Sequence, residues 1–166
     1  MADLLELTAA PATGVRAMTR SKPGHLEIDL DVTAKAVPIV RTIVCAHLRL
    51  WDLGGLADRV PLVVTELLTN VLRHTPPEAR TGARKARLTI TRLPEVLNVC
   101  VRDSDRTLPQ FSYTGPDAES GRGLNIVRAF ADDFGCAPAN GGKDVWVNFS
   151  TNKGDTSETS QGQERS

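Results

Sequence analysis

Glu66, Asn70 and His74 stand four residues apart in an otherwise apolar run, Glu66-Leu67-Leu68-Thr69-Asn70-Val71-Leu72-Arg73-His74. A helix advances about 100° per residue, so each step of four drifts by only about 40° and the three polar groups share one side. Leu67, Leu68, Val71 and Leu72 supply the surface that packs such a helix down. A carboxylate, a carboxamide and an imidazole bordering that surface cost free energy unless they find partners. A bound ligand carrying a metal ion is one source of partners. Two other segments hold polar groups where chemistry can use them. Asp103 and Asp105 follow the apolar run Val96 to Val101, and an Asp there, taken alone, reads as the start of a turn. Gly121-Arg122-Gly123 precedes an apolar helix opening at Leu124. Glycines let backbone approach closely, helix-start N–H groups point toward an anion, and Arg122 offers a charge-assisted donor. A lone Gly-x-Gly is also a common simple turn.

The elements that must position these residues alternate between strand and helix periods. His25 to Leu30 alternates polar and apolar like a half-buried strand. Thr33 to Trp51 carries Val37, Val40, Val44 and Leu48 at helical spacing and ends at Gly54-Gly55. A second helix is predicted from about Ala57 to His74, with Pro61 tolerated in its first turn and Thr75-Pro76-Pro77 stopping it. Ala86 to Thr91 and Val96 to Arg102 form a hairpin around Leu93-Pro94-Glu95. Ser104 to Ser120 is a long polar loop of the kind that serves as a lid or binding loop. A short helix from Gly123 to Phe130 and a hairpin turning at Ala139-Asn140-Gly141-Gly142 complete the pattern. Trp146, in the last strand, reads as a core residue.

Composition narrows the class. The chain has 166 residues, 40% of them hydrophobic, enough for one globular domain with a sizeable core. Its formal net charge is zero and it has no basic block, which argues against direct nucleic-acid binding. No apolar run is long enough to span a bilayer and the N-terminus lacks a signal pattern, so no membrane association is expected. Cys45, Cys100 and Cys136 are odd in number and set among apolar neighbours. They read as buried reduced thiols of a cytoplasmic protein, with no metal site built on them.

The three polar segments, in this order and on these elements, resemble the GHKL nucleotide-binding superfamily, the ATPase fold of histidine kinases, Hsp90-type chaperones, gyrase B and MutL. The likeness spans roughly residues 24–150 and is strongest to stand-alone anti-sigma factor serine/threonine kinases, especially short actinobacterial ones. It implies an α+β fold: a two-layer α/β sandwich of the GHKL (Bergerat) ATP-binding type, with a mixed, mostly antiparallel sheet covered by helices on one face. It also implies ATP and Mg²⁺, with Glu66 as general base, Asn70 as metal ligand and His74 near the phosphates. Asp103 takes the position that accepts from the adenine amine. Gly121, Arg122, Gly123 and Leu124 take the phosphate-binding turn. The chain departs from the pattern at Asp105, where the family usually has a small residue, and at Asp144, where relatives often carry Thr beside the adenine.

The expected domain layout is a flexible N-terminal arm over 1–22, the ATP-binding domain over 23–150 and a disordered tail over 151–166. The residues before the first strand contain no His that a sensor histidine kinase could phosphorylate, and a large second domain of the Hsp90, gyrase or MutL kind is not expected. The resemblance therefore implies an ATP-binding anti-sigma factor that phosphorylates a Ser on a STAS-type anti-anti-sigma partner. It also implies a sigma factor as second partner and a possible homodimer. The alternative is a non-catalytic nucleotide- or partner-binding module on the same fold.

Overall fold

A computed structural model describes residues 5–8, 14–108 and 122–152. Gly121, most of the predicted lid loop and the tail from 153 lie outside the described residues. Seven strands form one sheet in the order β1-β2-β3-β4-β5-β7-β6: β1 (Leu5–Thr8), β2 (Ala17–Lys22), β3 (His25–Asp31), β4 (Lys85–Arg92), β5 (Val96–Asp103), β6 (Asp133–Ala139) and β7 (Gly142–Ser150). Every pairing is antiparallel. Three helices accompany it: α1 (Ala36–Leu50), α2 (Val60–His74) and α3 (Arg122–Phe130). The expected α+β sandwich forms, with a sheet that is antiparallel throughout the described residues where a mixed one was expected.

Strand alternation decides which face the helices cover. Leu26, Ile28 and Leu30 of β3 point one way and are buried, as are Leu88 and Ile90 of β4 and Leu97, Val99 and Val101 of β5. Val147 and Phe149 of β7 extend that row. Against it α1 sets Val40, Val44 and Leu48, and α2 sets Val60, Val63, Val64, Leu67, Leu68 and Val71. Both helices repeat buried residues at three- and four-residue intervals, which gives each a continuous apolar stripe. α1 packs on α2, and α2 also meets α3 and β5. Thr33 Oγ1 accepts a 3.1 Å hydrogen bond from the Ala36 N–H at the start of α1, and Pro61 sits in the first turn of α2, where its missing N–H costs nothing.

The opposite face of the sheet is open and charged. Arg20 donates to Glu27 and Asp29, Arg87 pairs with Asp29 through both carboxylate oxygens, and Arg102 does the same with Asp144. Trp146 also lies here, opposite Gly135 and packed so closely that a Cβ at 135 would strike its indole ring. It is half-buried rather than core. An odd–even count from Val145 and Val147 places it on this face, and the absence of a side chain at Gly135 makes room for it. The three cysteines are free and half-buried rather than fully buried; burial, reinforced by the Asp144 charge, pushes the Cys100 thiol up to about 11.

Within the N-terminal arm expected over 1–22, two segments are strands. Ala17–Lys22 pairs with β3 over its whole length, and Leu5–Thr8 pairs with Ala17–Lys22 in turn. The strand period was masked because the inward residues Ala17, Thr19 and Ser21 are small or polar. Backbone pairing to β3, across the tight turn at Pro23-Gly24 with Gly24 at φ 70°, holds the strand instead of apolar bulk.

Candidate functional site

α2 presents its polar stripe along one border of its buried face. Glu66 and Asn70 are half-buried, and His74, the last helical residue, is exposed. The face on the other side of the helix is occupied differently: Thr65 and Thr69 hydroxyls donate to the carbonyls of Pro61 and Thr65 within the helix, at 2.8 and 2.7 Å. Glu66, Asn70 and His74 make no side-chain hydrogen bond or ion pair among the described residues. An acid and an amide held half-buried by Leu67, Leu68 and Val71 therefore present unused oxygen atoms.

At the end of β5 the chain builds a second polar centre. Asp103 continues the alternation of Leu97, Val99 and Val101, so its side chain falls on the helix-covered face and is only 7% exposed. Its Oδ1 accepts the Asp105 N–H at 2.8 Å, so the turn-starting reading of this Asp holds too. Register places Lys143 of β7 opposite Asp103. Lys143, itself 7% exposed, donates from Nζ to Asp105 Oδ2 at 2.8 Å and lies 3.5 Å from Asp103 Oδ1. Burial lifts the Asp103 carboxyl above its ordinary range, while the Asp105 N–H and the Lys143 ammonium pull it back. Burial pushes Asp105 the same way, but hydrogen bonds from Lys143 and the Thr107 N–H outweigh it and hold this carboxyl below the usual range.

The strands approach unusually closely here. A Cβ at Gly142 would overlap the Asp103 carbonyl, so only glycine lets β7 register Lys143 against Asp103.

These positions revise one sequence expectation. Asp144 does not lie beside Asp105, where the resemblance put it. It is paired in register with Arg102, one residue out of phase with Asp103, and its carboxylate is held on the open face by both Arg102 nitrogens at 2.7 Å. The residue of this strand that faces Asp103 is Lys143, which sequence reasoning passed over. The period-2 phase of Val145, Val147 and Phe149 contained that signal.

Of the predicted site residues, the structure brings Asp103 and Asp105 together and joins Lys143 to them. Glu66, Asn70 and His74 lie on the helix that packs against β5. Arg122, Gly123 and Leu124 form the opening turn of α3, which packs on α2, while Gly121 lies outside the described residues. A groove of about 790 Å³ opens at the ends of β2, β3 and β4; it reaches Asp103 and Ser104 but none of the α2 stripe, so its volume does not define the site.

The donor set bears on a metal. Among the described residues no three His, Cys, Asp or Glu side chains gather to hold an ion. A lone amide oxygen such as that of Asn70 suits Mg²⁺, which keeps waters and phosphate oxygens as its other ligands, and does not suit a cage-forming metal.

The α+β sandwich thus sets an acid and an amide on the helix that packs on β5, and a buried carboxylate at that strand's end. Residues 23–149 match the family model of the histidine kinase-like ATPase domain, and the chain belongs to that family. Among solved structures, the histidine kinase domain of a blue-light activated histidine kinase from Erythrobacter litoralis is similar at 24% identity and a TM-score of 0.41. That likeness covers 55% of this chain and 43% of the other, so this chain matches less than half of that protein. No curated protein matches the chain. No helix among the described residues is long and apolar enough to cross a membrane.

Proposed function

We propose that this protein binds ATP with Mg²⁺ and transfers its γ-phosphoryl group to a serine on a protein partner, acting as an anti-sigma factor kinase toward a STAS-type antagonist. The observation that carries the reading is the pairing of Glu66 with Asn70 one turn apart, both half-buried and both with unused oxygen atoms. A pure binding module needs the amide but not the acid.

In this reading Asp103 accepts a hydrogen bond from the exocyclic amine of the base. Asn70 would hold Mg²⁺, which when bound offsets charge on the phosphates. Backbone N–H groups at the start of α3 would receive the phosphate oxygens, with Arg122 as a further donor. Glu66 orients the partner's serine and takes its hydroxyl proton as the new O–P bond forms and ADP departs with the bridging oxygen. Phosphoryl transfer demands mainly positioning and charge stabilisation, which fixed backbone and side-chain groups supply. His74, exposed at the end of α2, lies free to meet the phosphates or the partner. A sigma factor is the second partner in this reading, and the acting site is cytoplasmic.

The test is incorporation of labelled phosphate into a STAS partner by the native protein and by Glu66→Ala. Glu66→Ala should lower transfer by roughly 10²–10⁴-fold while leaving ATP binding in place. Undiminished transfer would remove Glu66 from the mechanism. ATP binding with no transfer to any cognate partner would favour the binding-module alternative.

A further inference from the structure

Asp105 departs from the family pattern, and the geometry ties it to Lys143 on the facing strand. Asp105, the added negative charge, is bound at 2.8 Å by Lys143, the buried positive charge on the facing strand. Lys143 reaches Asp103 only at 3.5 Å, and only toward Oδ1, the oxygen that already accepts the Asp105 N–H. Oδ2 of Asp103 accepts no hydrogen bond among the described residues. The three side chains together carry one negative charge, the same as Asp103 would carry alone.

We propose that Lys143 and Asp105 are a compensating pair of positioning residues that keep the base-reading Asp103 ionised and leave its Oδ2 open to the exocyclic amine of ATP. This deepens the ATP-binding reading above and rests on it. Each partner has a separate task. Without Lys143, two carboxylates share a buried corner, and like charge together with burial drives Asp103 toward its protonated form. A protonated Asp103 loses an acceptor and offers a donor instead. Without Asp105, Lys143 has only Asp103 to pair with and competes with the base for it. Asp105 thus draws the ammonium aside.

The coupling predicts a specific pattern in ATP affinity. Lys143→Met and Asp105→Asn should each weaken binding by roughly tenfold or more at pH 7, which for Lys143→Met requires that most of Asp103 be protonated at that pH. The Lys143→Met loss should shrink as the pH is raised and Asp103 ionises again. The double variant, which restores the single negative charge, should return to within about threefold of native, the sign of strong coupling between neighbours. Preference for ATP over inosine triphosphate, which has a carbonyl oxygen in place of the amine, should narrow in Lys143→Met.

Calorimetric titration of the full chain and these three variants with Mg-ATP and Mg-ITP gives all four readouts, with melting of the nucleotide-free proteins to establish that each is folded. A double variant no better than the worse single variant, or a Lys143→Met protein with native affinity, would overturn the proposal. Failure of the native protein to bind ATP would instead overturn the reading beneath it. The pair is then judged by carbon-13 titration of the Asp103 carboxyl, which should rise in Lys143→Met and return in the double variant. An unchanged Asp103 titration would refute the pairing on its own terms. Should Lys143→Met fail to fold, Asp105→Asn and the double variant still decide the matter.

Discussion

Asp103 is asked to do two things that conflict. As a buried carboxylate raised above its ordinary range, it holds its proton more tightly in the folded protein than in the unfolded chain, so the folded state is disfavoured as pH rises past the ordinary value of 3.8 and through the folded value. At neutral pH the ionised group is therefore a stability cost, borne at a site where an acceptor is useful. Asp103→Asn should melt at the same or a higher temperature than native at pH 7, because Lys143 keeps Asp105 as its partner and the amide oxygen can still accept the Asp105 N–H. The same substitution should abolish the Mg-ATP-induced rise in melting temperature. A variant that melts far below native would mean that the Asp103 charge stabilises the fold rather than serving a ligand. Sites that trade stability for an ionised group are common where function needs that group.

At the scale of the elements, the close passage of β7 over the end of β5 is what aligns Lys143 with Asp103. Gly142→Ala would push the strands apart at that point, and overpacking of this kind costs roughly 1–3 kcal/mol. Denaturant unfolding should show that loss, and ATP affinity should fall with it; a Gly142→Ala protein with native stability would contradict the drawn register. The same strand shows how far a sequence carries. The helices and the core strands were legible because Val40, Val44 and Leu48, or Leu97, Val99 and Val101, repeat at the period of their element. Glu66, Asn70 and Asp103 were legible as candidates because polar groups interrupt those periods. β2 was not, since Ala17, Thr19 and Ser21 give no apolar rhythm and the strand is held by pairing with β3. The face of Lys143 was written in the period-2 phase of Val145, Val147 and Phe149, but its meeting with Asp103 demands the register of β7 against β5, a tertiary fact. Trp146 takes the open face by the same phase, opposite Gly135, although its size suggests a core place.

Across the whole molecule, the sheet has one apolar face under helices and one face held by charge. Asp29 sits at the centre of the second, with the Arg87 hydrogen bond, and then that of Arg20, holding its carboxyl below the usual range against the effect of burial. A depressed carboxyl contributes stability that is present above its unfolded value of 3.8 and is lost as pH falls through the folded value. Asp29→Asn should accordingly flatten the fall in melting temperature below about pH 4, and at pH 7 it should lower stability modestly, as partly exposed pairs are screened by water. An unchanged acid limb would show that the Arg20–Asp29–Arg87 pairs are geometric only.

Nucleotide binding by the intact chain is the decisive property, and thermal unfolding with and without Mg-ATP measures it directly. ATP at about one hundred times its dissociation constant should stabilise the native state by roughly 2.7 kcal/mol. For a domain of this size that is a rise of about 5–10 °C. The native protein should show that rise, Asn70→Ala should lose it, and GTP should give none. No rise at millimolar Mg-ATP, or an equal rise in Asn70→Ala, would contradict the assignment of α2 and Asp103 as the nucleotide site.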